Sequence, residues 1–377
     1  MTAIRNRVIM MSSKILGRFF PKRGAPVDPK SIIVLKPCCL GDVVLATPTI
    51  AALQARYPQA KIDVAVGRWS RAALENNPHI RHLLDTGRVG QGRYGWADMW
   101  RLAKRLRQGC YDLAVTLDRS PVVGLTPWLA GIRHRVGLDS AERGFAHTLR
   151  VPVPTEVMHE AAIYLRCVAA LGGESDRFWT AFYPTEADKH NLPPVALPFV
   201  IIHPAGGVNP GMKMLDKRWP VERLAALGDQ FTQRGLAVVL TGVGGDSALC
   251  REVAAQMTEL PPKILAGELT LGQFGALCQR AALFVGADTG AMHIAAAAGC
   301  KTVAIFGPSD PQRYGPFAPP EQATVLWHPV LLPDGGVGQG KVFDFSWEQG
   351  VSVKEAWKAC KQFLALIELC RDQIALP

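Results

Sequence analysis

Short runs of β-branched and aliphatic residues recur along this chain, each followed by a stretch of helical periodicity, and that alternation restricts the fold more than any other feature. The segments 31–36, 61–66, 111–117, 199–203, 236–241, 282–286 and 301–306 read as buried strands. Between them, 43–57, 96–108, 159–171, 220–233, 246–257 and 290–298 read as amphipathic helices. Strands that are apolar on both faces need helices on both sides of their sheet, so the expected class is α/β with doubly wound, Rossmann-like parallel sheets. At 377 residues the chain exceeds one ordinary core and fits two such domains. Asn191, Leu192, Pro193, Pro194 and Pro198 interrupt both helix and ladder and mark the boundary. The expected divisions are 1–29 as an extension and linker, 30–190 and 191–345 as the two domains, and 346–377 as a terminal helical region. In that last region a helix over 351–374 carries Ala356, Trp357, Cys360, Phe363, Leu364 and Ile367 on one side and is expected to pack back towards the first domain.

Lys and Arg outnumber Asp and Glu by 42 to 32, a formal charge of +10 that favours an anionic partner without choosing among nucleic acid, lipid surface and phosphorylated sugar. The basic residues are spread over both halves without aromatic interleaving, which argues against nucleic acid. No apolar run approaches the roughly 20 residues that cross a bilayer. The 9 cysteines are odd in number and scattered, without metal-site or redox spacing, which fits a cytoplasmic location. In 1–24, Ile4, Val8, Ile15 and Phe19 alternate with Arg5, Arg7, Lys14 and Arg18. Such a stripe suits a helix lying in the headgroup region at the inner face of an anionic membrane, or else a plain tail.

Four strand exits carry the polar chemistry. The first is Pro37-Cys38-Cys39-Leu40-Gly41-Asp42, where Gly41 admits close backbone approach and Asp42 sits at a helix start, either as a cap or facing a ligand. The second is Asp288-Thr289-Gly290-Ala291-Met292-His293, which opens a small-residue helix whose N–H groups suit a diphosphate, or is a simple capped turn. Third comes His203-Pro204-Ala205-Gly206-Gly207 with Asp216-Lys217-Arg218-Trp219-Pro220, a glycine-bearing exit and a basic pair suited to phosphate oxygens or to solvent. The fourth, 241–246, ends in Asp246, a ribose contact or a cap.

Taken together and in this order, these segments resemble glycosyltransferase family 9, the ADP-heptose heptosyltransferases, over nearly all of 32–316. The resemblance rests on Leu40-Gly41-Asp42 with Thr47-Pro48, Arg135-Val136-Gly137, Lys217-Arg218-Trp219-Pro220, Asp288-Thr289-Gly290-Ala291-Met292-His293 and Phe306-Gly307-Pro308-Ser309-Asp310-Pro311. It implies a GT-B architecture with a central cleft, the acceptor on 30–190 and the nucleotide-sugar on 191–345. It further implies inverting, metal-independent transfer of heptose from ADP-heptose, with the ADP-sugar as co-substrate and no cofactor. No two aspartates stand at Asp-x-Asp spacing, in keeping with a metal-free mechanism. On this reading Asp42 is the general base and Lys217 steadies the leaving diphosphate. The donor contacts are Gly206, Lys217, Asp246, Asp288, Thr289, Gly290, Met292 and His293. Acceptor contacts are Gly41 and the forks of Arg68, Arg119, Arg133 and Arg135, with Arg71 and Arg143 nearby in sequence, which would meet phosphates of an anionic lipopolysaccharide-core glycolipid at the membrane surface.

The chain departs from the family pattern at 207–215, where an apolar, turn-rich stretch precedes the lysine, and at Cys38-Cys39. The glycine-rich 87–95 reads as an acceptor loop or a long surface connection, and 332–340 as a loop. Two other readings stay open on the residues alone: a GT-B enzyme with another nucleotide-sugar or glycan, and a non-catalytic homologue that binds nucleotide-sugar.

Overall fold

The computed structural model describes residues 20–90, 92, 94–209, 212–330 and 345–374, without the side chains of 209, 212 and 366–374. Most of the expected extension and the whole 332–340 loop lie outside the described residues. Two compact units emerge, 1–179 and 180–377.

The first unit runs β1 (Ser31–Leu35), α1 (Leu40–Val44), α2 (Thr47–Arg56), β2 (Lys61–Val66), β3 (His82–Asp85), α3 (Trp96–Gln108), β4 (Leu113–Thr116), α4 (Pro121–Leu129), β5 (His134–Asp139), β6 (Leu149–Pro152) and α5 (Glu160–Ala169). Its six strands lie in the order β3-β2-β1-β4-β5-β6, every pairing parallel. β1 is the spine, with Ile32, Ile33, Val34 and Leu35 all 0% exposed. Each such side chain contributes about 1.5–3 kcal/mol as an upper figure, since denatured chains already bury some apolar surface. The single helix expected over 43–57 is two. Pro48 has no N–H, and its ring conflicts with the carbonyl four residues back, so the chain turns at Leu45 and Ala46 and restarts with Pro48 in its first turn.

The second unit runs α6 (Glu186–His190), β7 (Phe199–His203), a small antiparallel hairpin β8 (Val208–Asn209) and β9 (Met212–Lys213), α7 (Val221–Thr232), β10 (Ala237–Leu240), α8 (Ser247–Gln256), β11 (Lys263–Ile264), α9 (Leu271–Arg280), β12 (Leu283–Ala287), α10 (Gly290–Ala297), β13 (Thr302–Phe306), α11 (Pro311–Tyr314), β14 (Ala323–Trp327) and α12 (Val353–Ile374). Its main sheet, β11-β10-β7-β12-β13-β14, repeats the first one's winding. Numbered from its own first strand, each sheet has the order 3-2-1-4-5-6, so each has one switch point between its first and fourth strands.

The units divide before the proline-rich stretch that marked the boundary in sequence. Thr180 and Phe182 already donate backbone hydrogen bonds to the carbonyls of Phe317 and Ala297, and Phe182 fills the space beside Gly275. The prolines break a connection inside the second unit. Among its described residues, α12 sets Ala356, Ala359, Cys360, Phe363 and Leu364 into the second unit's own core beside Phe231 and Val303.

α12 begins on a capping box: Glu355 accepts from the N–H and hydroxyl of Ser352, and the Glu355 N–H returns to Ser352 Oγ. His328, just beyond β14, bridges to it, donating to the Gln349 carbonyl at 2.8 Å while its other ring nitrogen lies 2.9 Å from Glu355 Oε1. The Gln349 carbonyl, with Glu355 behind it, raises the imidazole above its usual 6.5. Ser352, then His328, lower the Glu355 carboxyl to about 2. The histidine's contribution to stability is therefore full below pH 6.5 and disappears as pH rises through its elevated folded value, whereas Glu355's is full above 4.5 and fades as pH falls towards 2. His328→Ala should lower the melting temperature near pH 5.5 and cost less at pH 8.5, read by thermal denaturation across pH. An equal loss at both values would remove the ionic part of the latch.

Candidate active site

In an open parallel sheet, ligands gather beyond the carboxyl ends of the strands at the switch point. In the first unit that position lies beyond β1 and β4. Lys36 follows β1 directly, its side chain 7% exposed, and its Nζ lies 3.5 Å from Asp42 Oδ2. The ammonium also stands over the Tyr164 ring of α5, 5.2 Å from its centroid. Burial pulls the Lys36 pKa down, but Asp42, Tyr164 and Asp118 together overcome it and hold the pKa well above its ordinary value. Burial also raises the Tyr164 hydroxyl, aided by Asp42. The group behind Asp42 is thus a fixed cation.

Asp42 is not the cap of α1. Cys39 occupies that place, and Asp42 sits in the first turn with 31% of its side chain exposed, directed to Lys36. Sequence reasoning chose Asp42 and passed over Lys36; the available signal was a lysine closing an otherwise aliphatic strand.

Of the four arginines expected to meet acceptor phosphates, two are engaged elsewhere. Arg119, at the exit of β4, gives one nitrogen to both oxygens of buried Glu160 at 2.8 and 2.7 Å. Arg135 is 4% exposed and donates to the carbonyls of Ala146, Ile132 and Arg133, so it braces the β5–β6 edge and offers no open fork. Burial lowers its pKa to about 10, with Arg23 adding to the effect. Arg133 is exposed, and Arg68 keeps 89% of its side chain in solvent while lying 3.7 Å from Asp85. Gly41 forms the first turn of α1.

In the second unit the switch point lies beyond β7 and β12, and there the expected donor residues converge. Lys217 Nζ lies 2.5 Å from Asp288 Oδ2, with side chains 18% and 8% exposed. Thr289 caps α10, its hydroxyl accepting from the Met292 N–H. Gly206 adopts φ +131°, and a Cβ there would lie 2.1 Å from Thr289 Cγ2, so only glycine lets the β7 exit lie against the tip of α10. The Arg218 side chain ties the same loop down through the Gly206 carbonyl at 2.9 Å, and it reaches Asp246 at 3.6 Å. Asp246 accepts from the Val243 N–H and so closes the short turn before α8, while its side chain makes no capping hydrogen bond to α8 itself. Met292 and His293 are 0% and 4% exposed, so their side chains belong to the packing beneath the helix tip. Trp219 is buried too and donates to the Val351 carbonyl, anchoring the segment that carries Lys217.

Two devices therefore stand at two sheet edges: a carboxylate backed by a buried ammonium in the first unit, and a paired ammonium beside the Thr289-capped N-terminus of α10 in the second. A cation beside a helix N-terminus has the chemistry that suits an anion of phosphate type. Lys217→Ala would leave Asp288 buried without its cation. It should lower unfolding stability by about 1–3 kcal/mol, below the cost of a fully buried pair because Lys217 is partly in water. Lys217→Arg should recover part of that loss, both read by denaturant titration. A Lys217→Ala variant as stable as the parent would mean that the pair holds nothing in place.

The model of glycosyltransferase family 9 (heptosyltransferase) matches residues 99–330. Lipopolysaccharide heptosyltransferase 2 of Escherichia coli K12 is 31% identical over 331 residues, 81% of this chain and 92% of its own. The crystal structure of a family 9 glycosyltransferase from Veillonella parvula superposes with a TM-score of 0.76 at 23% identity, covering 91% of this chain and 99% of that one. The structure of E. coli ADP-heptose lipopolysaccharide heptosyltransferase II gives 0.69 at 25%, covering 90% and 99%. With two doubly wound units of GT-B type and this degree of likeness, the chain belongs to glycosyltransferase family 9 and is a heptosyltransferase-type enzyme.

Proposed function

We propose that this enzyme transfers heptose from ADP-heptose to a phosphorylated lipopolysaccharide-core acceptor, by inverting displacement and without a metal ion. The observation that carries the reading is the Lys217–Asp288 pair set against the Thr289-capped tip of α10, with Gly206 packed onto it. Likeness to the E. coli lipopolysaccharide heptosyltransferase 2 and ADP-heptose lipopolysaccharide heptosyltransferase II supports the substrate class.

An acceptor hydroxyl is a weak nucleophile, so Asp42 takes its proton as the oxygen attacks the anomeric carbon. The bond from that carbon to the diphosphate oxygen breaks, and its electron pair leaves with ADP. Lys217 and the N–H groups at the tip of α10 neutralise the charge that builds there, which removes the need for a metal. Asp288 holds the Lys217 ammonium in place, and Lys36 does the same for the Asp42 carboxylate. Of the arginines, Arg68 and Arg133 have exposed guanidinium groups for acceptor phosphates. A glycolipid acceptor brings the enzyme to the membrane surface as a peripheral protein. Among the described residues no helix is long and apolar enough to cross a membrane.

Asp42→Asn should reduce turnover about 10²- to 10⁴-fold while ADP-heptose affinity stays nearly the same, measured by transfer kinetics and calorimetry. Turnover should survive chelation by EDTA, and ADP-heptose should outcompete UDP- and GDP-sugars. An Asp42→Asn enzyme at full speed would overturn the base assignment, and preference for a UDP- or GDP-sugar would overturn the donor.

A further inference from the structure

α3 is a helix with two unlike faces. Met99, Leu102, Ala103 and Leu106 recur at helical spacing and are buried against the first unit. One flank of the helix carries Trp96 and Trp100, one turn apart and 69% and 56% exposed, and the same stripe runs on to exposed Lys104 towards the outer face. The other flank carries Arg101, paired with Asp98 at 2.6 Å, and Arg105, while Arg107 on the tryptophan side donates to the carbonyls of Leu129 and Ala130.

Two large aromatic side chains left mostly in water on a well-anchored helix are unfavourable for a protein that meets only solvent. An indole is at home at a bilayer's headgroup boundary, where its ring is shielded and its N–H stays wet. The surrounding charge has the matching sign. Arg105 donates to the Asp85 carbonyl at 2.7 Å, and Arg68 lies 3.7 Å from the Asp85 carboxylate, so the basic rim continues from the helix onto the loop after β2.

We propose that the Trp96–Trp100–Lys104 face of α3 docks on an anionic bilayer surface, with the two indoles entering the headgroup region and Arg101, Lys104, Arg105 and Arg68 meeting lipid phosphates. The proposal deepens the peripheral-membrane part of the function proposed above and rests on that part alone. It places the contact on a folded element of the first unit, where the sequence had drawn attention to 1–24. Charge complementarity sets the composition dependence: neutral phosphatidylcholine bilayers offer the indoles a site but give the bases no net surface potential.

The test uses the full chain with vesicles of phosphatidylcholine alone or with phosphatidylglycerol. The parent should bind the anionic vesicles more tightly, and the advantage should shrink with salt. Trp96→Ala/Trp100→Ala should weaken binding to anionic vesicles about tenfold and abolish most quenching of tryptophan fluorescence by brominated lipid. Lys104→Glu should weaken it severalfold at low salt and little at high salt. All variants should keep the parental melting temperature and parental transfer to a delipidated, soluble acceptor. Unchanged vesicle binding by the tryptophan variant would overturn the inference. So would a raised KM for the soluble acceptor with vesicle binding intact, which would mark the face as a glycan contact. If no variant or parent transfers heptose yet the vesicle pattern holds, the transfer reading falls and the docking surface stands.

Discussion

A parallel sheet covered by helices on both faces has no polar place along its strands, so chemistry has to collect where the strands end. This constraint orders both units. β1 is buried from Ile32 to Leu35 and leads into Lys36 and the start of α1 with Asp42, β7 is buried from Phe199 to Ile202 and leads into the loop with Gly206, and β12 leads into Asp288 and Thr289. Equal winding in the two sheets puts equal switch points at those exits, and the positions of the functional groups follow.

The two edges use similar charges differently. Lys36 is the more deeply buried lysine, and its cost of burial is offset by Asp42, Asp118 and Tyr164, which keep it charged. It is a fixed support for a carboxylate that still reaches solvent. In the second unit the roles reverse: Asp288 is the buried partner and Lys217 the group nearer to water, beside a helix tip that also carries positive character. One arrangement presents a carboxylate and the other a cation, the two groups that the proposed proton removal from an acceptor and departure of a diphosphate call for.

Much of this was legible in the primary structure because its signals are local. Periodicity located the strands Lys61–Val66 and Phe199–His203 and the helix Trp96–Gln108 at their observed bounds. The edge strands β3 and β11 were not legible, since they are short and lack a sustained apolar run. α4 was missed as well, because prolines at its start and inside it suppress the helical signal. Gly206 was noticed as part of a glycine-bearing strand exit, yet what demands glycine there is Thr289, 83 positions along the chain, and no local pattern records that proximity. Family membership was legible from the motifs, since several short segments in fixed order carry far more information than any one of them.

The amino-acid order by itself determined the doubly wound class, the family, and the choice of Asp42, Lys217 and the Asp288–Thr289 turn, because hydrophobic spacing and motif identity are properties of neighbouring residues. Tertiary structure alone decided which of these groups are free and which are spent. It gave Arg119 to Glu160 and Arg135 to three carbonyls, set Met292 and His293 in the packing, placed Lys36 behind Asp42, and left Trp96 and Trp100 facing outward. The physical reason is that a side chain's chemistry depends on burial and on partners brought from distant positions, and both are fixed only when the sheets close.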